Sequence, residues 1–390
     1  MPSSESLPIT LEMPFIKDGM VRFDVNIHPR RFTPYFACET IPLHPNLESA
    51  VLLALLPAMR QNRRLELDQP VSDSFIKNLD ALSKIFSSWY REYHPARIHS
   101  PNTYAATTAG VGRVGCFFTG GVDSFYTFLK HQREITDLIY VHGFDVDLDD
   151  WPRRQAISAM GQSIATQTGI RFIEVETDSR KLFRAFGHWG FHGHGFALGT
   201  VGRLLVGVLD KIYIPSSFAQ ADLMPWGSHP ATDPLFSDEA LQFVHDGCEA
   251  TRVRKIQAIS SHPVARAHLR VCWERVEGAY NCGRCEKCLR TMTSLYAVGA
   301  LSAVTTFSAP IDPERIRALV LRRESSRKFA RENIELMNEN GLQSTPVYQA
   351  WKHALNRSDF VNWVLERTRK TGRKLRRSWQ KRIGKNPGKA

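Results

Sequence analysis

The stretch Phe117-Phe118-Thr119-Gly120-Gly121-Val122-Asp123-Ser124 decides the fold. An apolar run at residues 114–118 leads into it, and a helical pattern over about 122–133 begins directly after the two glycines. Glycines in such a turn allow backbone N–H groups to approach a ligand closely. The start of a helix adds unpaired donors and the positive end of its dipole. The pattern predicts a buried strand, a tight loop and a helix whose first turn could hold a phosphate.

The polar side chains of this loop suit a phosphate that is accompanied by a metal ion. Thr119 and Ser124 supply hydroxyl groups, whereas Asp123 would repel a bare phosphate. A Mg²⁺ ion between the two removes this conflict, because Mg²⁺ prefers carboxylate and phosphate oxygens. The spacing is neither that of a Walker A loop nor GxGxxG, and a helix cap without a ligand stays open as an alternative. The residues predicted to bind this phosphate are Thr119, Gly120, Gly121, Val122, Asp123 and Ser124, and Asp123 and Ser124 are the catalytic candidates among them.

Strands and helices alternate downstream of the loop. We expect further strands at residues 138–144, 171–175 and 211–215, and helices over 152–168 and about 195–209. Such alternation predicts an α/β fold with a parallel sheet covered on both faces. Ligands of these sheets bind beyond the carboxyl ends of the strands.

The region before the loop has its own helix and strand signals. Two short strands are expected between residues 11 and 27, around the turn Lys17-Asp18-Gly19. Asn46 is placed to cap a helix that runs through the apolar stretch 51–59, and a second helix is expected after Ser72. These signals predict a small N-terminal α/β region.

The chain as a whole therefore divides into five predicted regions. They are an N-terminal α/β region (1–108), a nucleotide-binding domain (109–236), a helical segment with clustered cysteines (237–309), C-terminal helices (310–366) and a basic tail (367–390).

Four of the seven cysteines lie close together, at Cys272, Cys282, Cys285 and Cys288. Clustered spacing of this kind indicates a metal site rather than a disulfide framework. Four thiolates complete a tetrahedral Zn²⁺ site and leave no position open for water, which favours a structural role. An iron–sulfur cluster and free thiols are the alternatives.

The loop and the cysteine spacing together resemble the PP-loop, or N-type, ATP pyrophosphatases. The usual signature of that superfamily is Ser-Gly-Gly-x-Asp-Ser, and Thr119 here keeps the hydroxyl of the first serine. The later Cys-x9-Cys-Gly-x-Cys-x2-Cys pattern is similar to that of 7-cyano-7-deazaguanine synthase, a queuosine-pathway family whose cysteines hold zinc. The resemblance covers residues 114–299, about half of the chain.

This resemblance implies an adenine-nucleotide α-hydrolase-like sheet that binds ATP with Mg²⁺, and a structural Zn²⁺. It implies a ligase, or amidotransferase-like enzyme, that adenylates a carboxylate or carbonyl oxygen and releases pyrophosphate or phosphate. Nitrogen from ammonia or an amine then passes to the small-molecule substrate. The second strand of the superfamily runs beside adenine, which implies contacts from Val141, His142, Gly143 and Phe144. Two other classes stay open: a thiolase-like tRNA-modifying enzyme with a sulfur-carrying cysteine among Cys38, Cys116 and Cys248, and a non-catalytic ATP-binding sensor.

Three weaker patterns allow more than one interpretation. The His-rich stretch 186–195 suits a substrate or nucleotide loop, a metal site or a plain loop. The acidic stretch 145–150 could steer Mg²⁺ or be solvated, and the cations of residues 252–255 could face a phosphate or solvent.

The net charge of +12 comes almost entirely from one end of the chain. Residues 367–390 contain eleven Lys or Arg and no acidic residue, and the rest has 40 basic and 39 acidic side chains. The tail could contact RNA, an acidic membrane surface or an acidic protein, or be solvated. With neither a signal peptide nor a membrane-spanning segment in the pattern, we expect a cytoplasmic protein.

Overall fold

The computed structural model describes residues 7–108, 110–272, 274 and 280–367. The chain forms two compact units, Met1–Thr251 and Arg252–Ala390. The first unit therefore extends beyond residue 236, where we predicted a boundary.

In the first unit the strands are β1 (Ile9–Leu11), β2 (Phe15–Lys17), β3 (Met20–Arg22), β4 (Val25–Ile27), β5 (Arg30–Phe32), β6 (Tyr35–Cys38), β7 (Leu65–Leu67), β8 (Val71–Ser72), β9 (Ile98–His99), β10 (Thr103–Tyr104), β11 (Val114–Phe117), β12 (Asp137–His142), β13 (Arg171–Thr177), β14 (Lys211–Pro215) and β15 (Gln242–Asp246). Its α-helices are α1 (Leu47–Gln61), α2 (Asp73–Trp89), α3 (Val122–Lys130), α4 (Trp151–Thr168), α5 (Arg180–Phe186) and α6 (His194–Arg203), and a π-helix (Trp189–Gly193) precedes α6.

The main sheet has eight strands in the order β15-β14-β11-β12-β13-β6-β3-β2. The strands from β11 to β15 are mutually parallel wherever they are neighbours. Numbered along the chain, these five lie in the order 3-2-1-4-5, so the connections from β11 lead away in opposite directions on its two sides. In open sheets of this order the ligand crevice lies where the strand order reverses, which here is beyond the carboxyl end of β11. The predicted α/β class with a parallel sheet is confirmed.

Helices cover both faces of this sheet. β12 is buried along its whole length, and its alternate residues Ile139 and Val141 belong to the apolar core that α1 and α6 share. α3 and α4 contact the strands as well, and Ser158 of α4 reaches Glu174 on β13 from the face that carries His142. A parallel sheet buried on both sides is what the continuous apolar strands predict.

The N-terminal region is joined to the main sheet rather than separate from it. β6 pairs antiparallel with β13, and β3 and β2 extend the sheet further. The edge of β13 would otherwise present unpaired backbone groups. Tyr35 strengthens the junction, because its hydroxyl donates to Glu176 at 2.6 Å.

The turn and the two helix caps predicted for this region are confirmed, but residues 11–27 contain the three strands β2, β3 and β4 rather than two. Asp18 and Gly19 both have positive φ, 54° and 73°, which suits the tight turn of the β2–β3 hairpin. The Asn46 side chain accepts from the Ser49 amide at 2.8 Å and caps α1. Ser72 caps α2 in the same way, through the Phe75 amide.

Residues 237–251, expected to be helical, contain β15 instead. This strand pairs in parallel with β14 over all five of its residues. Only two of the five, Phe243 and Val244, are apolar, so the pattern is too short for its period to reveal a strand.

The second unit is helical in its described part. Its helices are α7 (Arg252–Ile259), α8 (Pro263–His268), α9 (Glu286–Ala297), α10 (Pro313–Arg317), α11 (Glu324–Glu339) and α12 (Pro346–Asn356), and residues 359–367 are helical too. Trp351 is fully buried in its core and donates to the Thr293 hydroxyl at 2.8 Å. The C-terminal helices predicted over 310–366 are present.

Candidate functional site

The predicted phosphate loop lies at the carboxyl end of β11, where the strand order of the sheet reverses. Gly120 has φ +72°, a left-handed conformation that glycine adopts without strain. Gly121 then begins α3 as its N-cap residue. The two glycines thus turn the chain sharply from the central strand into a helix.

The hydroxyl of Ser124 holds this loop closed. It accepts from the Thr119 amide at 3.3 Å and donates to the Gly121 carbonyl at 3.1 Å. Ser124 is buried, whereas Thr119 and Asp123 are half-buried. The geometry gives Ser124 a role in shaping the loop and leaves Asp123 on the first turn of α3.

The start of α3 has the properties of an anion-binding site. Among the described residues, no side chain caps this helix, so its first amide groups are not taken by a capping side chain. Those amides and the positive end of the helix dipole favour a negative group. An anion bound here would adjoin the Asp123 carboxylate, which a divalent cation could bridge.

The residues predicted to lie beside adenine have different surroundings. Val141 is packed in the apolar core. The buried His142 ring bonds to Glu174 at 2.8 Å through Nε2, while its Nδ1 has no hydrogen-bond partner among the described residues. Phe144, just beyond β12, meets Trp189 edge to face at 5.1 Å.

Glu174 is held in its charged form. Burial would raise the pKa of this carboxyl, but hydrogen bonds from His142 and Ser158 outweigh burial and lower the pKa below its usual value. A permanent acceptor therefore fixes the orientation of the His142 ring.

An aromatic cluster lines the same edge of the sheet. Trp226 packs against Phe191 at 4.8 Å and against Phe218 at 5.8 Å, while Trp189 contacts Phe144. Rings that follow β12 and β14 and rings of the His-rich stretch thus meet at the carboxyl edge. Such a wall offers apolar faces to a flat ligand.

Two histidines of the His-rich stretch accept hydrogen bonds from backbone amides of the stretch itself. His188 accepts from the amides of Gly190 and Phe191, and His192 accepts from the His188 amide at 3.0 Å. Burial lowers the pKa of both His192 and His194. These rings are therefore neutral near pH 7 and not gathered as metal ligands in the described chain.

The acidic stretch after β12 is mostly exposed. Asp145, Asp147 and Asp149 face solvent, and Asp147 lies 3.7 Å from Arg180 while Asp150 lies 3.6 Å from Arg153. In the described residues these carboxylates do not form a metal-binding group of three.

A buried charge cluster joins α3 to β15, and the sequence analysis missed it. Asp246 accepts from Thr127 at 2.8 Å, from Lys130 at 2.8 Å and from His131 at 2.9 Å. Burial would raise the pKa of Asp246, but these three bonds outweigh it and lower the pKa. The cluster ties the helix that begins at the loop to a neighbouring strand end.

The four predicted metal ligands come together in the second unit. Their sulfur atoms all lie within 4.8 Å of one another, with Cys272–Cys285 at 3.9 Å and Cys282–Cys288 at 3.8 Å. Tetrahedral Zn–S bonds of about 2.3 Å place sulfurs about 3.8 Å apart. The group could therefore hold one metal ion such as zinc, and it is too tight for a four-iron cluster in which each cysteine binds a different iron.

Backbone amides support the sulfurs as thiolates. The amides of Glu274, Cys285 and Cys288 donate to the sulfurs of Cys272, Cys282 and Cys285, at 3.2–3.4 Å. Without a metal the sulfurs share protons: the pKa of Cys272 is lowered because Cys285 and Cys288 donate to its sulfur, whereas the pKa values of Cys285 and Cys288 are raised. Ligands of a metal must be deprotonated, so this arrangement suits one.

Buried Asn281 is a supporting residue that sequence reasoning missed. Its side-chain oxygen accepts from the amides of Val271 and Cys272, and its nitrogen donates to the Leu269 carbonyl at 2.9 Å. The position of Asn281 directly before Cys282 is the sequence feature that could have identified it as a supporting residue. Asn281 aligns the first ligand with the other three.

The cations noted in the sequence are engaged within the second unit. Arg254 pairs with Glu339 at 2.7 Å, and Lys255 is buried. Arg290, on the helix that follows the cysteines, pairs with Glu286 at 3.3 Å and lies over the Phe329 ring at 3.9 Å.

The basic tail beyond Arg367 lies outside the described residues. In the described part of the chain, no helix combines the length and apolar character that crossing a membrane requires. Comparison with models of known protein families and with curated proteins finds no match for this chain.

Proposed function

We propose that this chain is an ATP-dependent ligase of the PP-loop superfamily, with an adenine-nucleotide α-hydrolase-like sheet. The observation that carries the proposal is the Thr-Gly-Gly-Val-Asp-Ser loop at the carboxyl end of the central parallel strand, where the strand order reverses. Nucleotide-binding sheets bind phosphate groups at this point, against a glycine turn and a helix start.

Each part of the loop has a role in the proposed reaction. The amides around Gly120 and Gly121 hold the pyrophosphate portion of ATP, and Asp123 holds the Mg²⁺ that accompanies it. Val141, His142 and Phe144 are the proposed neighbours of adenine. The substrate carboxylate attacks the α-phosphate, pyrophosphate leaves, and the resulting adenylate reacts with ammonia or an amine.

For the second unit we propose a structural Zn²⁺ bound by Cys272, Cys282, Cys285 and Cys288. Four protein sulfurs fill a tetrahedral coordination shell, so the ion stabilises the fold and leaves no site for substrate.

The test is an assay of the full chain for release of pyrophosphate and AMP from ATP and Mg²⁺. A panel of carboxylic acids with ammonium serves as substrate. Release that depends on one acid supports the proposal. ATP binding without release under every condition would replace it with the sensor function, and sulfur incorporation into tRNA would replace it with the thiolase function.

A further inference from the structure

An acid, an imidazole and a thiol lie in sequence at the carboxyl end of β15. Asp233 Oδ2 and His245 Nδ1 are 2.7 Å apart, and the two side chains are 0% and 3% exposed. Cys248 follows three residues after His245 and is half-buried, and the second ring nitrogen of His245, Nε2, is buried without a hydrogen-bond partner among the described residues. Enzymes with a cysteine nucleophile use the same three groups: the thiol attacks, the imidazole acts as its base, and the carboxylate orients the imidazole.

Two hydrogen bonds besides the one to His245 hold the Asp233 carboxylate in place. It accepts from the Ser228 hydroxyl at 2.6 Å and from the His229 amide at 3.1 Å. A carboxylate held at both oxygens sets the tautomer and the direction of the ring bonded to it. Asp233 is thus a positioning residue.

The charge state of His245 also suits a thiolate partner. Burial alone would lower the pKa of His245, but the interactions with Asp233 and with Cys248 outweigh burial and raise it to about 9. The pKa of His229, a second histidine close to this ring, is lowered first by burial and then by the charge of His245. At neutral pH the His245 ring is a cation, which stabilises a neighbouring thiolate.

Cys248 lies on the same edge of the sheet as the phosphate loop. Its sulfur donates to the Ser216 hydroxyl at 3.2 Å, and Ser216 directly follows β14, the strand between β11 and β15. Two strand spacings separate the ends of β11 and β15, which is about 10 Å. A substrate bound at the crevice could span that distance.

We propose that Cys248 is the nucleophile that takes the acyl group from the adenylate, with His245 as its catalytic partner and Asp233 as the residue that positions His245. This inference rests on the proposed function, because the adenylate is its acyl donor. It gives Cys248, named above only as a candidate sulfur carrier, a role in acyl transfer.

The chemistry balances without any added oxidant or reductant. The thiolate attacks the acyl carbon, a C–S bond forms, the C–O bond to phosphate breaks, and AMP leaves with the electron pair. The amine then attacks the thioester carbon, the C–S bond breaks, and the sulfur leaves as a thiolate beside the His245 cation. The nitrogen releases its proton to solvent, which yields an amide.

The two other cysteines of the first unit lack this setting. Cys116 is fully buried in β11, and burial raises its pKa well above the usual value. Cys38 lies 3.3 Å from the Thr40 hydroxyl. They are internal controls for the reactivity of Cys248.

The first experiment measures alkylation of the zinc-loaded full chain by iodoacetamide between pH 5.5 and 9, with peptide mapping to assign each cysteine. At pH 6.5 an ordinary thiol is about 1% ionised, so we expect Cys248 to react at least about tenfold faster than Cys38 there. Equal rates for Cys248 and Cys38 across this pH range would overturn the proposal.

Variants test the roles of the partners. His245→Gln and Asp233→Asn should each slow alkylation of Cys248 about tenfold at pH 6.5 and shift its pH profile toward that of Cys38. A profile that stays unchanged in both variants, with native circular dichroism, would overturn the assignment. Even where a variant fails to fold, the pH profile of the wild type shows whether Cys248 is more reactive than Cys38.

Turnover separates this inference from the proposed function. Cys248→Ser should reduce amide formation at least about 100-fold, whereas Cys38→Ser should retain it. Pyrophosphate release together with full amide formation by Cys248→Ser would uphold the ligase and overturn the nucleophile. Selective alkylation of Cys248 without pyrophosphate release by the wild type would overturn the ligase and the acyl donor assigned here.

Discussion

Asp123 is the residue whose loss tests the proposed metal bridge most directly. Asp123→Ala should abolish pyrophosphate release, a loss of at least about 100-fold, because the side chain that would hold Mg²⁺ is gone. The fold should persist, since the residue is half-buried on the first turn of α3. Asp80→Ala on α2 is the matched control, because Asp80 is exposed and pairs with Lys84 one turn further along the same helix. Near-normal turnover of Asp123→Ala with Mg²⁺ would contradict the bridging role.

The pH dependence of stability should reflect the ion pair between His245 and Asp233. The folded-state pKa of His245 is about 9, above the value of about 6.5 for an unfolded histidine. The pair therefore gives its full stabilisation below about pH 6.5, and loses it as the pH rises through about 9. The contribution is at most about 3 kcal/mol.

Urea midpoints at pH 6, 7.5 and 9 measure this effect. Wild type should lose its advantage over His245→Gln as the pH rises, while His44→Gln, which changes an exposed histidine, should follow the wild type. An identical pH slope in wild type and His245→Gln would mean that the pair does not contribute.

Single residues were predictable where the signal is local. The caps Asn46 and Ser72 lie next to the turns they stabilise, and four closely spaced cysteines can meet with little help from the rest of the fold. Asp233 and His245 were not predictable, because a loop residue and a strand residue meet only once β15 has joined the sheet.

At the scale of elements, the cysteine cluster should behave as a metal-dependent unit. The purified chain should contain about one zinc ion, and Cys285→Ser should lose it and lower the free energy of unfolding by several kcal/mol. The physical reason is that metal binding is part of the folding free energy of the segment it closes.

Elemental analysis and thermal unfolding check this prediction, with Cys38→Ser as the matched control. Iron with visible absorbance in place of zinc would identify another metal. A metal-free Cys285→Ser chain as stable as the wild type would mean that the cysteines bind nothing structural.

The parallel strands β11 to β14 were predictable because each is an apolar run beside a helix signal. β15 was not, since it is half polar and its partner is β14, about 30 residues earlier in the sequence. The docking of β6 onto β13 was not predictable either. The sequence of a short strand does not indicate which sheet the strand will join.

At the scale of the whole molecule, the basic tail concentrates the charge of the chain. Deleting residues 367–390 removes eleven positive charges from an otherwise near-neutral protein. If the tail binds RNA, affinity should fall and its salt dependence should flatten by about 0.7 in slope for each lost phosphate contact. Binding of a labelled single-stranded RNA at several salt concentrations measures both.

A control for the tail replaces Leu375 and Trp379 by serine and keeps every charge. This variant should bind RNA like the wild type, because the predicted attraction is electrostatic. Unchanged RNA affinity after the deletion would remove RNA as a partner of the tail.

The pairing of β6 with β13 affects how the chain can fold during its synthesis on the ribosome. Tyr35 and its partner Glu176 are 141 residues apart, so β6 leaves the ribosome well before the strand it needs. At 5–20 residues per second the delay is about 7–30 s. During that time β2, β3 and β6 can pair only with one another, and the edge of β6 that will pair with β13 stays open. Two nascent chains on one messenger could also exchange these strands, each completing the sheet of its neighbour.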